Sequence, residues 1–158
     1  MYTYQDLLGN DVSISFDVLE EADDVLVIAK FHDAWLFTTH KNRGIEFPGG
    51  KGESGESNEE TARRETMEET GAELDKLYIV AQYEVSTAER TFSKRVYLAN
   101  VTDFVNQVDY METLGPILIA GDLANIVQQK QFSFFMQDEG MQVVIQEAMR
   151  QLKTNNWR

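Results

Sequence analysis

The sequence predicts a single α+β domain over residues 1–158, and three observations support this prediction. Short apolar or alternating segments, typical of strands, lie before residue 48 and again between residues 77 and 120. A capped helical segment follows a glycine-rich loop near residue 50, and a second helical pattern closes the chain. No repeat, low-complexity tract or linker interrupts the 158 residues, a length that suits one domain.

Four segments before the glycine-rich loop are predicted strands. Residues 12–16 alternate apolar and polar side chains, as in a half-buried strand, whereas residues 25–31 are almost continuously apolar, as in a central strand. Residues 35–39 return after a polar turn and should form a hairpin with the central strand. A short strand at residues 45–47 stops at Pro48, because proline has no N–H to donate to a neighbouring strand.

The segment after the loop predicts a helix whose two ends are both marked. Ser57 and Glu60 have the spacing of a capping box, in which each side chain accepts a hydrogen bond from a backbone N–H at the helix start. The helix should run to about Thr70, because Gly71 suits the left-handed residue that ends a helix.

The remaining chain is predicted to alternate strands and loops before a final helix. Residues 77–83 and 92–98 read as two strands joined by a polar turn, residues 109–115 as a loop, and residues 116–120 as a short strand. The last helix is indicated by apolar residues at helical spacing, which are Val144, Ile145, Ala148, Met149 and Leu152. Residues 132–136 either begin that helix or form a separate turn.

Composition restricts the classes of function. The formal net charge of −13 repels DNA and anionic membrane surfaces, so we expect neither as a partner. No apolar run approaches the roughly eighteen residues of a membrane helix, and the first residues lack the pattern of a signal peptide. The absence of cysteine excludes disulfides and thiolate chemistry. We therefore expect a cytoplasmic protein whose small anionic substrate binds through intervening cations; the sequence leaves the oligomeric state open.

Eight glutamates fall between Glu53 and Glu73, and three of them share one side of the predicted helix. At about 100° per residue, Glu65, Glu68 and Glu69 occupy roughly one third of the helix circumference. No basic residue lies four positions from Glu65 or Glu69, so we expect these carboxylates to have raised pKa values or to recruit a cation. Their hard oxygen atoms suit Mg²⁺ or Mn²⁺. A solvated acidic helix face is the simpler alternative.

Three other motifs do not explain this stretch. Gly50, Gly52 and Gly55 match the dinucleotide-binding pattern G-x-G-x-x-G, but Glu53 and Glu56 would repel the pyrophosphate that such a loop binds. The loop lacks the Lys-Ser/Thr pair of a P-loop, and the acids lie on a helix rather than in an EF-hand loop.

The spacing Gly50-x5-Glu56-x7-Arg64-Glu65-x2-Glu68-Glu69-x-Gly71 resembles the Nudix box, G-x5-E-x7-R-E-U-x-E-E-x-G-U, where U is a bulky aliphatic residue. All seven fixed letters of the box are present. Thr66 and Ala72 depart from the pattern, because larger aliphatic residues usually stand there. These two positions concern packing rather than charge.

The resemblance implies an α/β/α sandwich around a mixed β-sheet and a Mg²⁺-dependent hydrolase in which Mn²⁺ can substitute. It implies that Glu65, Glu68 and Glu69 are metal ligands, together with the carbonyl of Gly49. It also gives Glu65 or a neighbour the role of orienting or deprotonating the attacking water. Glu56 would complete the site, and Arg64 would pair with a carboxylate such as Glu56 and keep the constellation rigid.

Segments outside the box resemble a narrower group of Nudix enzymes. Residues 46–51 look like the entry loop of MutT-type enzymes, which makes Arg43 and Lys51 candidates for phosphate contacts. Residues 43–51, 110–116 and 131–136 look like the YtkD subgroup of Gram-positive bacteria. Glu112 lies where the family often keeps one more acid for the metal or the base.

Three functions stay open at this point. The first is hydrolysis of nucleoside triphosphates, including oxidised guanine nucleotides such as 8-oxo-dGTP, to monophosphate and pyrophosphate. The second is removal of pyrophosphate from a short RNA with a 5′ triphosphate, and the third is a nucleotide sensor without catalysis. Phe47, Tyr83 and the aromatic cluster at Phe132 are candidates for stacking on a base or for the core.

Overall fold

The structure is a computed structural model that describes residues 1–17 and 20–154. Its described strands are β1 Tyr2–Gln5, β2 Asp11–Ser15, β3 Asp24–Phe31, β4 Ala34–His40, β5 Gly44–Glu46, β6 Gly49–Lys51, β7 Ala72–Leu74, β8 Tyr78–Ser86, β9 Thr91–Phe104 and β10 Thr113–Ala120. Its helices are α1 Asn58–Thr70, α2 Leu123–Ile126, a 3₁₀ turn at Phe134–Gln137 and α3 Glu139–Thr154. The predicted domain also includes residues 18–19 and 155–158, which lie outside the described residues.

The strands form a mixed sheet in the order β1-β2-β8-β9-β3-β4-β10. The central pair, β3 and β9, is parallel, whereas the other neighbours along this path are antiparallel. Three short strands attach to the main path, with β5 on β4, β6 on β3 and β7 on β9. One edge of β3 is therefore shared, because β6 pairs with its beginning and β4 with its end.

Each face of the sheet packs against at least one helix. Both faces can be apolar because successive side chains of a strand point to opposite faces. In β3, Val25 and Val27 join the apolar cluster that includes Ala62 of α1. Leu26 and Ile28 join the cluster on the other face, which contains the buried side chains of α2 and α3. The two clusters make three layers, and this arrangement confirms the predicted α/β/α sandwich around a mixed sheet.

Most predicted elements are present, with one clear correction. The hairpin of β3 and β4 forms as predicted, with Phe31 opposite Ala34. The loop prediction for residues 109–115 is wrong at its end, because β10 begins at Thr113. The pairing of β10 with β4 shifts register between Thr113 and Pro116. The strand therefore begins with an irregular segment, and Gly115 and Pro116 in that segment made the sequence resemble a loop. Residues 132–136 belong to a turn separate from α3.

None of the helices in residues 1–17 and 20–154 combines the length and the apolar character needed to cross a membrane.

Candidate active site

Strand β6 brings the glycine-rich loop directly against the central strand. Gly49 and Gly50 pair with Leu26 and Val25 of β3. A Cβ atom on Gly49 would lie 2.3 Å from the carbonyl oxygen of Val25, far inside any real contact. On Gly50, a Cβ would lie 2.5 Å from the carboxyl carbon of Glu65. The absence of side chains at these two positions therefore lets the loop pack on β3 and lets Glu65 of α1 pack on the loop.

The caps of α1 confirm the sequence prediction. The Ser57 hydroxyl accepts a hydrogen bond from the N–H of Glu60 at 3.1 Å, and the Glu60 carboxylate accepts one from the N–H of Ser57 at 2.9 Å. Gly71 has a left-handed φ of 75° and donates its N–H to the carbonyl of Met67 at 2.8 Å. These caps fix both the length of α1 and the rotational position of its carboxylates.

Arg64 lies among the carboxylates of the box. Its Nε and Nη2 donate to the two oxygens of Glu56 at 2.7 and 3.0 Å, so the pairing predicted with Glu56 is present and bidentate. Its Nη1 donates to Glu65 at 2.9 Å and to Glu68 at 3.1 Å, and its Nη2 donates to the carbonyl of Lys51 at 3.0 Å. One guanidinium therefore connects the loop with two successive turns of α1.

These contacts correct one expectation. The three helix carboxylates were expected to lack a counterion, because no basic residue stands four positions from Glu65 or Glu69. Arg64 precedes Glu65 directly and stands four positions before Glu68, and it contacts both. The lack of a basic partner holds for Glu69 alone, since no basic side chain in the described residues donates to its carboxylate, whereas the expected rise in pKa holds for both Glu65 and Glu69.

The pKa values within the box diverge according to these contacts. The Arg64 guanidinium lowers the pKa of Glu56 to about 2, assisted by the N–H of Glu53 and the hydroxyl of Thr61. Burial raises the pKa of Glu65, although the hydrogen bond from Arg64 opposes this effect.

Glu69 shows the opposite electrostatic environment from Glu56. Burial raises its pKa to about 8, and the negative charges of Glu65 and Glu46 add to the effect. The backbone N–H of Gly49, at 3.0 Å, lowers the pKa in return. An ionised Glu69 would therefore gain free energy from a nearby cation.

The donor set of the box fits a magnesium-type ion. The carboxylates of Glu65, Glu68 and Glu69 offer the hard oxygen atoms that Mg²⁺ prefers, and the Gly49 N–H donates to Glu69. Across the described residues, no group of three or more His, Cys, Asp or Glu side chains forms a preformed metal-binding site. Mg²⁺ does not need one, because it typically binds through one or two carboxylates, several waters and phosphate oxygens of the substrate. The ligand roles of Glu65, Glu68, Glu69 and the Gly49 carbonyl stay predictions.

Glu112 lies at the far rim of the site. Its side chain is 88% exposed, and an oxygen lies 3.8 Å from Nε2 of His40. The next residue, Thr113, donates its hydroxyl to the carbonyl of Glu69 at 3.0 Å. The loop that carries Glu112 is thus anchored at the C-terminal end of α1, while its role as a ligand stays a prediction.

The two predicted phosphate-binding residues have different environments. Arg43 donates to both oxygens of Glu46, at 2.7 and 3.0 Å. The Lys51 side chain is exposed, and its carbonyl is held by Arg64. Neither contact tests the prediction of phosphate binding, but Lys51 presents an ammonium group to solvent directly beside the box.

Two features of the site were not found from the sequence. Thr38 of β4 donates to the carbonyls of Gly115 at 2.9 Å and Glu69 at 3.4 Å, so a buried hydroxyl ties β10 to α1. Glu46, read only as part of the entry loop, binds Arg43 and raises the pKa of Glu69. A polar residue inside an apolar strand, such as Thr38, was the one available signal for the first feature.

The aromatic candidates separate into core and cavity residues. Phe47 and Phe132 are buried and pack on Phe37, each with ring centroids 5.0 Å apart. These two side chains therefore belong to the core. Tyr83 lines a cavity on the same side of the sheet.

Comparison with known proteins gives the family. The model of the NUDIX domain matches residues 12–113, which include the whole box and most of the sheet. The chain belongs to the Nudix family. It is a Nudix hydrolase, an enzyme that acts on phosphoric anhydride bonds, and the box acids that a purely sensing module would lack are all present.

Two relatives cover almost all of this Nudix chain. YtkD of Bacillus subtilis (strain 168), whose name assigns it an unconfirmed 8-oxo-dGTP diphosphatase activity, is 40% identical over 99% of both chains. A crystal structure of a mutant of the Bacillus subtilis pyrophosphohydrolase BsRppH is 38% identical, covers 99% of both chains and superimposes with a TM-score of 0.89. The resemblance to the YtkD subgroup is therefore confirmed.

A more distant structure agrees in fold alone. The NUDIX domain of Shewanella oneidensis NrtR, solved with ADP-ribose, is 18% identical, with a TM-score of 0.63 over 85% of this chain and 90% of that one.

Proposed function

We propose that this protein is a Mg²⁺-dependent pyrophosphohydrolase of nucleoside triphosphates, with oxidised guanine nucleotides such as 8-oxo-dGTP among its substrates. Water attacks phosphorus, the α–β anhydride bond breaks, and the products are a nucleoside monophosphate and pyrophosphate. The proposed physiological role is removal of damaged nucleotides from the pool. A small nucleotide is the proposed partner.

One observation carries this proposal: Arg64 holds Glu56, Glu65 and Glu68 in place around a loop whose glycine admits Glu65. The similarity to YtkD over nearly the whole chain supports the nucleotide class. Fixed carboxylates next to an exposed lysine suit the binding of a polyphosphate through cations, because the carboxylates alone would repel it.

The residues have distinct proposed roles. Glu65, Glu68, Glu69 and the Gly49 carbonyl would hold a divalent cation, which supplies Lewis-acid stabilisation of the charge that develops on the phosphate oxygens. Glu65 or a neighbouring carboxylate orients the attacking water and accepts its proton. Arg64 and Glu56 position these carboxylates, and Lys51 and Arg43 are the proposed phosphate contacts.

The test is a substrate screen with Mg²⁺ in which inorganic pyrophosphatase is added or omitted. We expect phosphate to appear from 8-oxo-dGTP or dGTP only when pyrophosphatase is present, because the direct product is pyrophosphate. Phosphate release without pyrophosphatase would indicate cleavage of the terminal phosphate and would contradict the proposal. Turnover in excess chelator would contradict the role of the metal.

A second candidate is removal of pyrophosphate from the 5′ end of a short triphosphorylated RNA. Two exposed rings favour it: Phe134 and Phe135 have centroids 4.1 Å apart, and the Arg43 guanidinium lies 5.6 Å from the Phe135 ring. Such a platform can stack the base of a second nucleotide. Comparing kcat/KM for 8-oxo-dGTP, dGTP and a triphosphorylated trinucleotide ranks the two candidates, and a preference for the RNA would reverse their order.

A further inference from the structure

A cavity of about 300 Å³ opens on the face of the sheet that α3 covers. Most of its wall is apolar or aromatic, with Leu26, Tyr83 and Phe92 among the lining residues, and the acidic residues Asp6 and Asp138 also line it. This volume lies at the lower end of small-molecule sites, and a wall of this kind suits one flat ring system.

Lys94 brings a positive charge into this cavity wall. It is partly buried on β9, opposite Asp24 of β3, and within the described part of the chain its ammonium makes no hydrogen bond or ion pair. Burial lowers the pKa of Lys94, whereas the negative charges of Asp24 and Glu46 raise it. An ammonium group has three N–H donors, and an oxygen of a ligand in the cavity can accept from one of them.

The cavity and the carboxylate cluster are neighbours across β3. Leu26 lines the cavity and is the β-partner of Gly49, whose N–H binds Glu69. Cα atoms of such partners lie about 4.5–5.5 Å apart. Glu46 acts electrostatically on both Lys94 and Glu69. The proposed path of a nucleotide therefore runs from the box along the β3–β6 edge of the sheet into the cavity.

The chemistry of Lys94 distinguishes between bases. An ammonium or amine N–H donates to a ring carbonyl oxygen, as on guanine, 8-oxoguanine or hypoxanthine. Adenine presents an exocyclic amino group at the corresponding position, and two donors facing each other leave both unpaired. Buried groups left unpaired in this way are what makes a site reject the wrong substrate.

We propose that this cavity takes the nucleobase and that Lys94 is a specificity-determining residue that donates a hydrogen bond to a ring carbonyl oxygen, selecting oxo purines over amino purines. The proposal rests on the nucleoside triphosphatase function proposed above. Phe135, at the mouth of the cavity and 46% exposed, supplies a stacking surface that does not depend on the identity of the base.

The test compares Lys94→Met with wild type on dGTP, dITP and dATP in the presence of Mg²⁺. We expect the substitution to lower kcat/KM for dGTP and dITP about 10- to 100-fold, the range for a lost hydrogen bond to a charged donor. The value for dATP should change by less than about threefold. The matched control is Lys153→Met at the opposite end of α3, where the lysine is exposed, and all three rates should stay at the wild-type level.

Other outcomes overturn the proposal. An equal loss for all three nucleotides would assign Lys94 to the phosphate chain, and unchanged rates would remove it from the substrate site. Misfolding is monitored by thermal melting, where Lys94→Met should melt at or above the wild-type temperature because it removes a desolvated charge.

A metal-free binding experiment separates this proposal from the function on which it rests. Calorimetry with dGMP and dAMP should show tighter binding of dGMP to wild type and loss of that preference in Lys94→Met. If wild type hydrolyses no triphosphate yet shows this preference, the proposed function fails and the base site stands. If wild type hydrolyses dGTP but binds both monophosphates equally, the base site fails alone.

Discussion

The two ends of the carboxylate cluster on α1 differ in the charges that surround them. At one end, Arg64 binds Glu56 through both oxygens and also contacts Glu65 and Glu68. At the other end, Glu69 accepts a hydrogen bond from the backbone N–H of Gly49 and none from a basic side chain in the described residues. The pKa of Glu56 is accordingly about 2, and that of Glu69 about 8.

This difference indicates that the two ends of the carboxylate cluster on α1 have different roles. The Arg64 end has its own cation, so its geometry should survive without any ligand. At the Glu69 end no basic side chain of the described residues donates to the carboxylate, so this is where an added cation gains most free energy. We therefore propose that the first end positions the site and that the second responds to metal and substrate.

The largest expected effect comes from Glu69→Gln. If Glu69 binds the metal, the substitution should lower kcat/KM by about 10³-fold, because Lewis-acid stabilisation contributes several kcal/mol and each 1.4 kcal/mol is a factor of ten. The measurement is pyrophosphate release from the best triphosphate substrate. Glu59→Gln, an exposed glutamate on the same helix, is the control and should keep full activity.

The melting temperature of Glu69→Gln also tests whether the two ends of the cluster differ. Glu69→Gln should melt at a higher temperature than metal-free wild type at pH 7, because Glu69, with a pKa of about 8 in the fold, must take up a proton on folding at that pH, whereas glutamine is neutral in both states. Glu56→Gln should instead lower the melting temperature, since it removes the bidentate partner of Arg64. A fall in both variants would show that the two ends do not differ as described.

The next effect comes from Gly50→Ala. Its Cβ would meet the flexible carboxylate end of Glu65, which can move aside, so stability should change by less than about 1 kcal/mol. Activity should fall about 10²-fold, because a displacement of about 1 Å at a catalytic group costs that much. Gly49→Ala is the contrast, since its Cβ would meet the backbone of Val25 and should impair folding. Equal melting temperatures for the two variants would contradict this account.

The Arg64 end was largely predictable from the sequence, and the reason is local. Ser57, Glu60 and Gly71 specify the helix within a few residues, and the helical repeat then places Arg64 beside Glu65 and Glu68. The contacts of Arg64 with Glu65 and Glu68 were nevertheless not predicted, because the expectation rested on the residues four positions from Glu65 and Glu69.

The rest of the site depends on pairings between distant segments. Residues 49–51 read as loop because glycine disfavours strands, yet they pair with β3 about 25 residues earlier as β6. β1 and β7 were also missed, since each is short and is defined by its partner strand. The cavity around Lys94 combines β1, β2, β3, β8, β9 and α3, and no local pattern marks such a set.

A smaller effect is expected from Arg64→Lys. A lysine keeps the charge but cannot bind Glu56 through two parallel hydrogen bonds while contacting Glu65 and Glu68. Activity should fall about 10- to 100-fold, the usual cost of losing a group that orients metal ligands. The control is Arg63→Lys, whose arginine donates to the carbonyls of Leu74 and Asp75 away from the carboxylates. An equal loss of activity in both variants would make the effect of Arg64 one of general stability.

The smallest effect is a pH dependence of stabilisation by Mg²⁺. The pKa of Glu69 in the folded protein, about 8, lies above the ordinary value of about 4.3, so the metal-free fold binds more protons than the unfolded chain between these pH values. Metal-free stability should therefore be highest below pH 4 as far as Glu69 is concerned, and this contribution should be lost as the pH rises towards 8. A cation beside Glu69 removes the penalty of ionising it. Saturating Mg²⁺ should thus raise the melting temperature by a few degrees more at pH 8 than at pH 5.5.

Glu69→Gln makes this last measurement specific to one end of the cluster. In that variant the difference between the Mg²⁺-induced shifts at pH 8 and pH 5.5 should shrink, because the group that titrates between these values is gone. In Glu56→Gln the difference should persist, since the low pKa of Glu56 keeps that carboxylate ionised at both pH values. If the difference vanished in Glu56→Gln and persisted in Glu69→Gln, the metal-responsive end of α1 would be the one that Arg64 already neutralises.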